Sequence, residues 1–512
     1  MTAVHTEPVS AVELVARAKE LRPLLERNAA AGERDRRVVE ESIQALTDAG
    51  LFRIAVPKRY GGYETSLRTM LDVSAAVAEA DGGTAWVLTL TNVCNWMVGL
   101  LPQRAQDEIF GADPDAKVSG VLAPTATTTK VDGGWRVTGK WFYNSGSWHA
   151  TWAGLGIPIT DESGEVVDQG LAMIPRTDLG LEDTWFVAGM KSSGSNCLVA
   201  EDVFVPEHRV LLVPPAINGE YPSEHLDTEA FYRSALVPVL ALVLVGPQLG
   251  MGRAALDYVV GKAPKKPISY TFYTAQTESV GFQLQIAEAA RLIDTAHLHA
   301  YRAAADVDEA AARGAYPDFT TRARVRSDTG YVAECITKAI DILLFAHGAG
   351  SFADVNPLQR IWRDSATAAR HAVVAPQVSY ELYGKALLGV EENHHPAHLN
   401  NLELPTCASP ISRAASCWSP PTAPAPSTWN GPAAAASAPT RRPSTSSGPT
   451  SPPGPPDRCR PVNRSSSRTS ARPPRGPGRS SPSASTTPST PPSPGSPSPT
   501  RPRSCSPSGR RA

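Results

Sequence analysis

The spacing of apolar residues changes twice along the chain, and this order constrains the fold more than any other feature. Between residues 10 and 115 apolar side chains recur every three or four positions, as on amphipathic helices. Between about 118 and 212 they alternate and are interrupted by turns such as Asp132-Gly133-Gly134, as in short antiparallel strands. Helical patterns return from 235 to 390. We therefore expect an α+β chain with an N-terminal helical domain, a middle antiparallel β-domain and a C-terminal four-helix bundle.

Several segments refine this expectation. Gly50 is predicted to end the second helix, and residues 51–56 are predicted to be extended. Apolar residues surround the next two helical patterns on nearly all sides, which indicates a buried helical hairpin with its break at Asp81-Gly82-Gly83. The bundle is expected to contain four long helices, at residues 235–260, 279–305, 321–346 and 365–388.

Positive charge is concentrated at the end of the chain. From Ala408 onward there are 14 arginines, no lysine and one acidic residue, whereas residues 1–407 contain 35 basic and 49 acidic residues. An acidic body does not favour nucleic acid or an anionic membrane surface as a partner. Residues 391–512 are rich in Ser, Pro and Arg and are predicted to form a disordered tail.

This tail permits two interpretations. Its proline and arginine content is typical of segments that bind nucleic acid or SH3 domains, and a non-catalytic scaffold or a tail-driven nucleic-acid binder would depend on it. The same lysine-free composition is typical of a GC-rich gene translated out of frame, which is the interpretation that we favour. The genomic reading frame decides between the two.

The sequence also argues against several classes of protein. No run of eighteen apolar residues occurs and the N-terminus lacks a signal peptide, so a cytoplasmic location is predicted. Cys94, Cys197 and Cys335 are widely spaced and form no CxxC pair, so no metal site is expected. Neither a P-loop nor a G-x-G-x-x-G motif is present, which argues against a nicotinamide-binding domain.

A small-residue segment separates two apolar runs of the β-region. Residues 185–190 and 197–205 are predicted to be strands joined by an exposed loop, Ser192-Ser193-Gly194-Ser195-Asn196. Glycine lets a backbone approach a ligand closely, and Ser and Asn side chains donate and accept hydrogen bonds. The loop therefore suits a phosphate or the edge of a flavin, although on its own it also fits an ordinary hairpin turn.

A second polar cluster follows a helix break in the C-terminal region. Gly348 and Gly350 are predicted to end one helix, and the next helix carries Arg360, Arg363 and, on its continuation, His371. Two arginines near a helix start suit a phosphate or pyrophosphate. Ion pairs that only stabilise the fold are the alternative.

Three motifs carry a resemblance to a known family. They are GMKSSGS followed by EDVFVPE, PLQRIWRD followed by His371, and SYELYGKALLG. Together they resemble the acyl-CoA dehydrogenase superfamily and, within it, the two-component flavin-dependent monooxygenases of the naphthocyclinone hydroxylase-like group. The resemblance covers roughly residues 13–388 and implies an acyl-CoA dehydrogenase-like fold.

The resemblance implies a specific chemistry. Enzymes of this branch take FMNH₂ or FADH₂ from a separate flavin reductase, react it with O₂ to form a flavin C4a-hydroperoxide, and hydroxylate an aromatic substrate. A small phenolic or polyketide substrate, a role in antibiotic biosynthesis and a homotetramer are implied in the same way. No nucleic-acid or membrane partner is expected.

The resemblance also implies roles for individual residues. Ser145 corresponds to a serine near flavin N5, and His371 corresponds to a histidine that acts as a base toward a phenol, a role typically worth ~10²–10⁴-fold in rate. A histidine packed in the bundle with satisfied nitrogens is the alternative for His371. Cofactor contacts are implied for Ser145, Trp185, Ser193, Gly194, Ser195, Arg360 and Arg363, and a substrate pocket for Cys94, Asn95, Trp96 and His149.

Two other activities of the superfamily stay open. An acyl-CoA dehydrogenase commonly carries its carboxylate base in a late E-G-T turn, whereas this chain has Glu381-Leu382-Tyr383 there. An N-hydroxylating monooxygenase would use the same fold and cofactor. Steroid- and phenylacetate-hydroxylating relatives place a histidine near position 94, where this chain has Cys94, so a different substrate pocket is expected.

Overall fold

The computed structural model describes residues 9–390, and helices dominate the first part of this range. They are α1 (Ala11–Glu20), α2 (Arg22–Asp35), α3 (Glu40–Asp48), α4 (Leu67–Ala78), α5 (Gly82–Gly99) and the short α6 (Gln103–Gln106). Gly50 follows α3 in the left-handed conformation, at φ +73°, as predicted for a helix end. The prediction of an extended segment at 51–56 is wrong, because Arg53 N–H donates back to Gly50 O at 3.0 Å and closes a 3₁₀ turn.

The predicted buried hairpin is formed by α4 and α5. Asp81 caps α5, since its Oδ2 accepts the Thr84 amide at 2.8 Å and the Thr84 hydroxyl at 2.7 Å. Every residue of α5 except Leu90 is buried. Polar groups on this helix therefore face other parts of the protein and not bulk water.

Two four-stranded sheets make up the middle region. One has the order β1-β4-β5-β8 and the other β2-β3-β7-β6. The pairs are antiparallel, as predicted, except that β1 runs parallel to β4. The strands are β1 (Val118–Val121), β2 (Ala126–Val131), β3 (Gly134–Asn144), β4 (Trp152–Thr160), β5 (Val166–Pro175), β6 (Gly180–Glu182), β7 (Asn196–Pro206) and β8 (Val210–Leu212).

The strand predicted at 185–190 is not formed. The Asn196 side chain accepts the amides of Thr184 and Trp185 at 2.9 and 3.1 Å, so these donors are not available to a strand ladder. The edge position beside β7 is taken by β6 instead. The segment that leads to the serine loop is therefore irregular backbone held by a side chain.

Helices resume with the short α7 (Val213–Ile217) and continue to the end of the described range. They are α8 (Leu236–Leu242), α9 (Gly246–Lys262), α10 (Val280–Ala312), α11 (Phe319–His347), α12 (Pro357–Ala368) and α13 (Pro376–Leu388). The helix predicted at 365–388 is broken between α12 and α13. Pro376 lacks an amide hydrogen, and Ala375 before it takes a non-helical conformation, so the helix cannot run through this point.

The helical stretch Leu236–Lys265 is long and apolar enough to cross a membrane by length and composition. However, 83% of its most apolar window is buried inside the protein, as in a core helix. The predicted tail, residues 391–512, lies outside the described residues. The helical, β and helical order expected from the sequence is confirmed.

Candidate active site

Three buried serines meet where β3 ends and β7 begins. Ser145 Oγ lies 2.8 Å from Ser195 Oγ, which lies 2.7 Å from Ser193 Oγ. Trp86 of α5 donates its indole N–H to Ser145 Oγ at 3.0 Å, and Ser193 donates its hydroxyl to Met190 O at 2.8 Å. Elements that are distant in sequence thus form one chain of hydrogen bonds, which we call the serine relay.

The two ends of the serine relay fix its direction. Each hydroxyl has one proton, and Ser193 uses its proton on Met190 O, so Ser193 must accept from Ser195. Ser195 has then spent its proton and accepts from Ser145. Ser145 accepts from Trp86 and donates to Ser195, which leaves one lone pair on its oxygen.

The loop that carries Ser193 and Ser195 is buried, which corrects the prediction of an exposed loop. Both serines are at most 3% exposed. A Cβ on Gly83 of α5 would lie 2.0 Å from Ser192 Oγ, and a Cβ on Gly189 would lie 2.0 Å from Arg363 O of α12. Glycine at these two positions lets both helices close over the loop.

His371 lies in the turn between α12 and α13, not on a helical continuation as predicted. Its ring centroid is 5.9 Å from that of Trp86, the residue that begins the serine relay. Its Nδ1 accepts the Val373 amide at 3.2 Å, so the neutral ring carries its proton on Nε2. The structure therefore brings His371 and Ser145 to the same indole.

The surroundings of His371 keep it neutral. Burial lowers its pKa to about 4, and the positive charge of Arg326 on α11 acts in the same direction. The residue as a whole is intermediate between buried and exposed. A histidine in such a place can meet a ligand without becoming charged near pH 7.

Arg360 and Arg363 both pair with acidic residues of the N-terminal helical region. Arg363 Nη2 lies 2.5 Å from Glu33 Oε1, and Arg360 Nε lies 3.7 Å from Asp81 Oδ1, which is an ion pair too long for a hydrogen bond. The structure therefore places both arginines in ion pairs. Their contact with a flavin phosphate stays a prediction.

Asp364 is a fully buried acid beside the same loop. Its Oδ1 accepts the Met190 amide at 2.5 Å. Burial, as the main cause, and the nearby charge of Asp81 together raise the pKa of Asp364 to about 7, against the opposing effect of the Met190 amide. The carboxyl group therefore changes its charge near neutral pH at the base of the serine relay.

The residues predicted to form a substrate pocket lie in several environments. Asn95 donates to the carbonyls of Phe52 and Ala116 at 3.1 and 3.0 Å, and Trp96 donates to another backbone carbonyl at 3.2 Å. Cys94 is buried against Gly120, and burial raises its pKa to about 12. These contacts hold α5 to its neighbours, and a substrate contact for the three residues stays a prediction.

Two further predicted residues lie beside the serine loop. The indole N–H of Trp185 donates to Met190 O at 2.9 Å, the carbonyl that also ends the serine relay. His149 Nδ1 lies 3.3 Å from Glu40 Oε2, and burial, as the main cause, lowers the pKa of His149. His149 thus faces the N-terminal helices in this structure.

Comparison with known proteins gives consistent matches. The chain matches the acyl-CoA dehydrogenase N-terminal domain over residues 13–110 and the acyl-CoA dehydrogenase C-terminal domain over residues 242–376. It is 34% identical over 371 residues to the oxygenase subunit HsaA of a flavin-dependent monooxygenase from Rhodococcus jostii, covering 72% of this chain and 97% of the relative. It is 30% identical to the oxygenase component of p-hydroxyphenylacetate 3-hydroxylase from Acinetobacter baumannii, over 76% of this chain and 92% of that protein.

A solved structure agrees with these matches. XiaF from a Streptomyces species, in complex with FADH₂ and glycerol, superposes with a TM-score of 0.70 at 38% identity, covering 74% of this chain and 96% of that chain. The chain belongs to the flavin-dependent monooxygenases with the acyl-CoA dehydrogenase fold. The family and fold predicted from the sequence motifs are confirmed.

Some residues of this candidate site could not be found from the sequence. Trp86 stands in an apolar helix pattern, where nothing marks it as the donor to Ser145. Arg326 lies among several charged residues of α11, and only the break between α12 and α13 brings it near His371. The sequence marks Asp81 as part of a helix break, but it contains no sign that Asp81 lies close to Asp364.

Proposed function

We propose that the chain is the oxygenase component of a two-component monooxygenase that hydroxylates a phenolic ring with reduced flavin and O₂. The convergence of Ser145 and His371 on Trp86 carries this proposal, because a hydrogen-bonding serine and an enclosed neutral histidine lie near the same indole. The relatives support it, since two are named as an oxygenase subunit or component and XiaF was solved with FADH₂.

The serine relay fits a reduced flavin. Reduced flavin carries a hydrogen on N5, and Ser145 has one lone pair that the serine relay leaves unused. Ser145 would hold that N–H, with Ser193, Gly194 and Ser195 behind it and Trp185 beside them. When bound, reduced flavin activates O₂ and supplies an electrophilic oxygen to the substrate ring.

His371 suits a role at the oxygen atom of the phenol. Removing a proton through Nε2 would require the ring to move its own proton to Nδ1, where the Val373 amide already donates. The geometry therefore favours donation of a hydrogen bond from Nε2 to a phenolate oxygen over acceptance of the phenol proton. A hydrogen bond to a charged oxygen typically contributes about 1.5–3 kcal/mol.

Finer points of the proposal rest on the motifs and on general chemistry. FMNH₂ or FADH₂ from a separate flavin reductase is the cofactor that we propose, and an aromatic polyketide in antibiotic biosynthesis is the substrate class. A cytoplasmic homotetramer is proposed as well. Large apolar side chains exposed on the bundle support subunit contacts, namely Leu284, Leu298 and Phe345.

A second candidate, acyl-CoA desaturation, receives less support. It requires a carboxylate base that faces the substrate. Glu381, the acid nearest to the predicted late motif, is exposed on α13 and pairs with Lys385 at 2.6 Å. N-hydroxylation uses the same cofactor, and a substrate panel that includes aromatic amines distinguishes it from ring hydroxylation.

The test uses His371→Ala with His299→Ala as its control. His299 is a half-buried histidine that pairs with Asp328 in the bundle at 2.8 Å, away from the serine relay. With chemically reduced flavin, O₂ and a phenol panel, we expect His371→Ala to form about 10- to 100-fold less product and to release more peroxide. Its melting temperature and reduced-flavin affinity should stay near wild type. Unchanged product per reduced flavin in a well-folded His371→Ala protein would contradict the proposal.

A further inference from the structure

Arg326 reaches the His371 turn because two helices cross very closely. A Cβ on Gly330 of α11 would lie 3.0 Å from Pro376 Cα and 3.2 Å from Ser379 Cβ, so α13 rests almost directly on the α11 backbone. Arg326 lies one helical turn before Gly330, on the same face. Its Nε donates to Ser379 Oγ at 3.4 Å, and Ser379 Oγ donates to Ala375 O at 3.0 Å, in the segment that carries His371.

Among the described residues Arg326 has no acidic partner, unlike other arginines of the region. Arg324 on the same helix pairs with Asp306 at 2.6 Å, and Arg302 pairs with Asp328 at 2.7 Å. Within residues 9–390, no carboxylate forms an ion pair with Arg326. Burial lowers the pKa of its guanidinium to about 10, which shows that the charge is poorly solvated. Enclosed charges without partners are unfavourable in a folded protein and are typical of binding sites.

The two groups at this place have complementary properties. The guanidinium carries a permanent positive charge and five N–H donors, of which Ser379 takes one. The neutral ring of His371 offers Nε2–H, because Nδ1 is occupied by the Val373 amide. A cation and a neutral donor together recognise an oxygen atom with negative charge.

We propose that Arg326 binds an anionic oxygen of the aromatic substrate and determines specificity for it, with His371 donating from Nε2 to the same site. This inference rests on the proposed function and names the charge of its substrate. When the anionic oxygen is an ionised phenol, the phenol O–H bond breaks on binding and its proton goes to solvent. The electron-rich phenolate ring then reacts with the electrophilic oxygen, so no protein base has to take the proton.

The test measures the ionisation of a bound phenol directly. The probe is 4-nitrophenol, which ionises near neutral pH and whose anion absorbs visible light. With wild-type protein, we expect binding to lower the pKa of the probe by about one unit or more, as an opposite charge at close range does. Arg326→Gln should lose most of this shift, and Arg326→Lys should keep part of it.

Arg324→Gln is the matched control, because it removes the same charge from the same helix where an acidic partner is present. It should keep the wild-type shift. Melting temperatures give a second readout: Arg326→Gln should be as stable as wild type or more stable without ligand, since it removes an enclosed charge that has no acidic partner within residues 9–390. If Arg326 only stabilised the fold, Arg326→Gln would instead have a lower melting temperature than wild type.

A second pair of probes, benzoate and benzyl alcohol, identifies the source of the negative charge. In one outcome, wild type binds benzoate more tightly than benzyl alcohol, Arg326→Gln loses this preference, and the pKa of 4-nitrophenol is left unshifted. That result assigns the site to a carboxylate. The inference would be overturned if binding shifted the pKa of 4-nitrophenol equally in wild type and Arg326→Gln. It would also be overturned if wild type preferred neither the 4-nitrophenolate anion nor benzoate over a neutral probe. Reduced-flavin binding is measured anaerobically on the same samples, and its absence in wild type would count against the proposed function alone.

Discussion

Ser193→Ala is predicted to reverse the direction of the serine relay. Without the Ser193 oxygen, the Ser195 hydroxyl loses its acceptor and turns to Ser145. Ser145 then accepts from both Trp86 and Ser195, and its own proton points away from them. The serine that offered a lone pair to reduced flavin N5–H would offer a proton instead, which suits the unprotonated N5 of oxidised flavin.

The expected size of this effect follows from one exchanged hydrogen bond. A neutral hydrogen bond contributes about 1 kcal/mol, or roughly a five-fold change in affinity. Reduced flavin loses such a bond and oxidised flavin gains one, so the ratio of the two dissociation constants should change by about 25-fold. Met190 O keeps the Ser193 amide and the Trp185 indole as donors, at 3.1 and 2.9 Å, so folding should be little affected.

The assay measures the dissociation constants of oxidised and reduced FMN for wild type and for Ser193→Ala. The measurements with reduced FMN are made under anaerobic conditions. Ser192→Ala is the control, because Ser192 belongs to the same loop but contacts Asp81 at 3.5 Å and not the serine relay. The control should leave the ratio unchanged. A wild-type ratio in a Ser193→Ala protein with a normal melting temperature would refute the direction assigned to the serine relay.

Three further predictions follow from the same region. The pKa of His371 falls from 6.5 to about 4 on folding, so the protein loses stability as the pH drops below 6.5. Between pH 7 and pH 5, the free energy of unfolding of wild type should therefore fall by about 2 kcal/mol more than that of His371→Gln, as measured by denaturant titration. Asp364 has a raised pKa of about 7, so its ionisation destabilises the fold as the pH rises. Asp364→Asn can still accept the Met190 amide, and it should have a higher melting temperature than wild type at pH 8. This difference should shrink toward pH 4. An equal melting difference at both pH values would contradict this. Gly330→Ala should cost about 1–3 kcal/mol by calorimetry, because its Cβ would press on Pro376, and an unchanged stability would disprove the close crossing.

Patterns within short stretches of sequence predicted the secondary-structure elements that those stretches form by themselves. The alternation between residues 118 and 212 indicated the strands, and the three motifs indicated the family. The prediction of a strand at 185–190 was wrong because the Asn196 side chain takes the amides of Thr184 and Trp185, where that strand would begin. The exposed serine loop was wrong because its burial depends on glycines in other elements, such as Gly83.

The partners of the site residues could not be predicted for the same reason. His371 was expected on a helix, and the sequence contained the contrary signal in Pro376 five residues later. Arg326 belongs to no motif, and only the packed helices show that no acidic residue of the described range pairs with it. Contacts across the fold, and not the residue types alone, give these groups their chemistry.

The most direct test of the account supplies photoreduced FMN or FAD and ¹⁸O₂ to the purified chain, without reductase and without nicotinamide. Product from a panel of phenolic aromatics is then analysed by mass spectrometry. The account predicts a hydroxylated ring that carries one ¹⁸O atom, formed in proportion to the reduced flavin supplied. Product formed only after NADH is added to the chain alone, or hydroxyl oxygen derived from water, would contradict it.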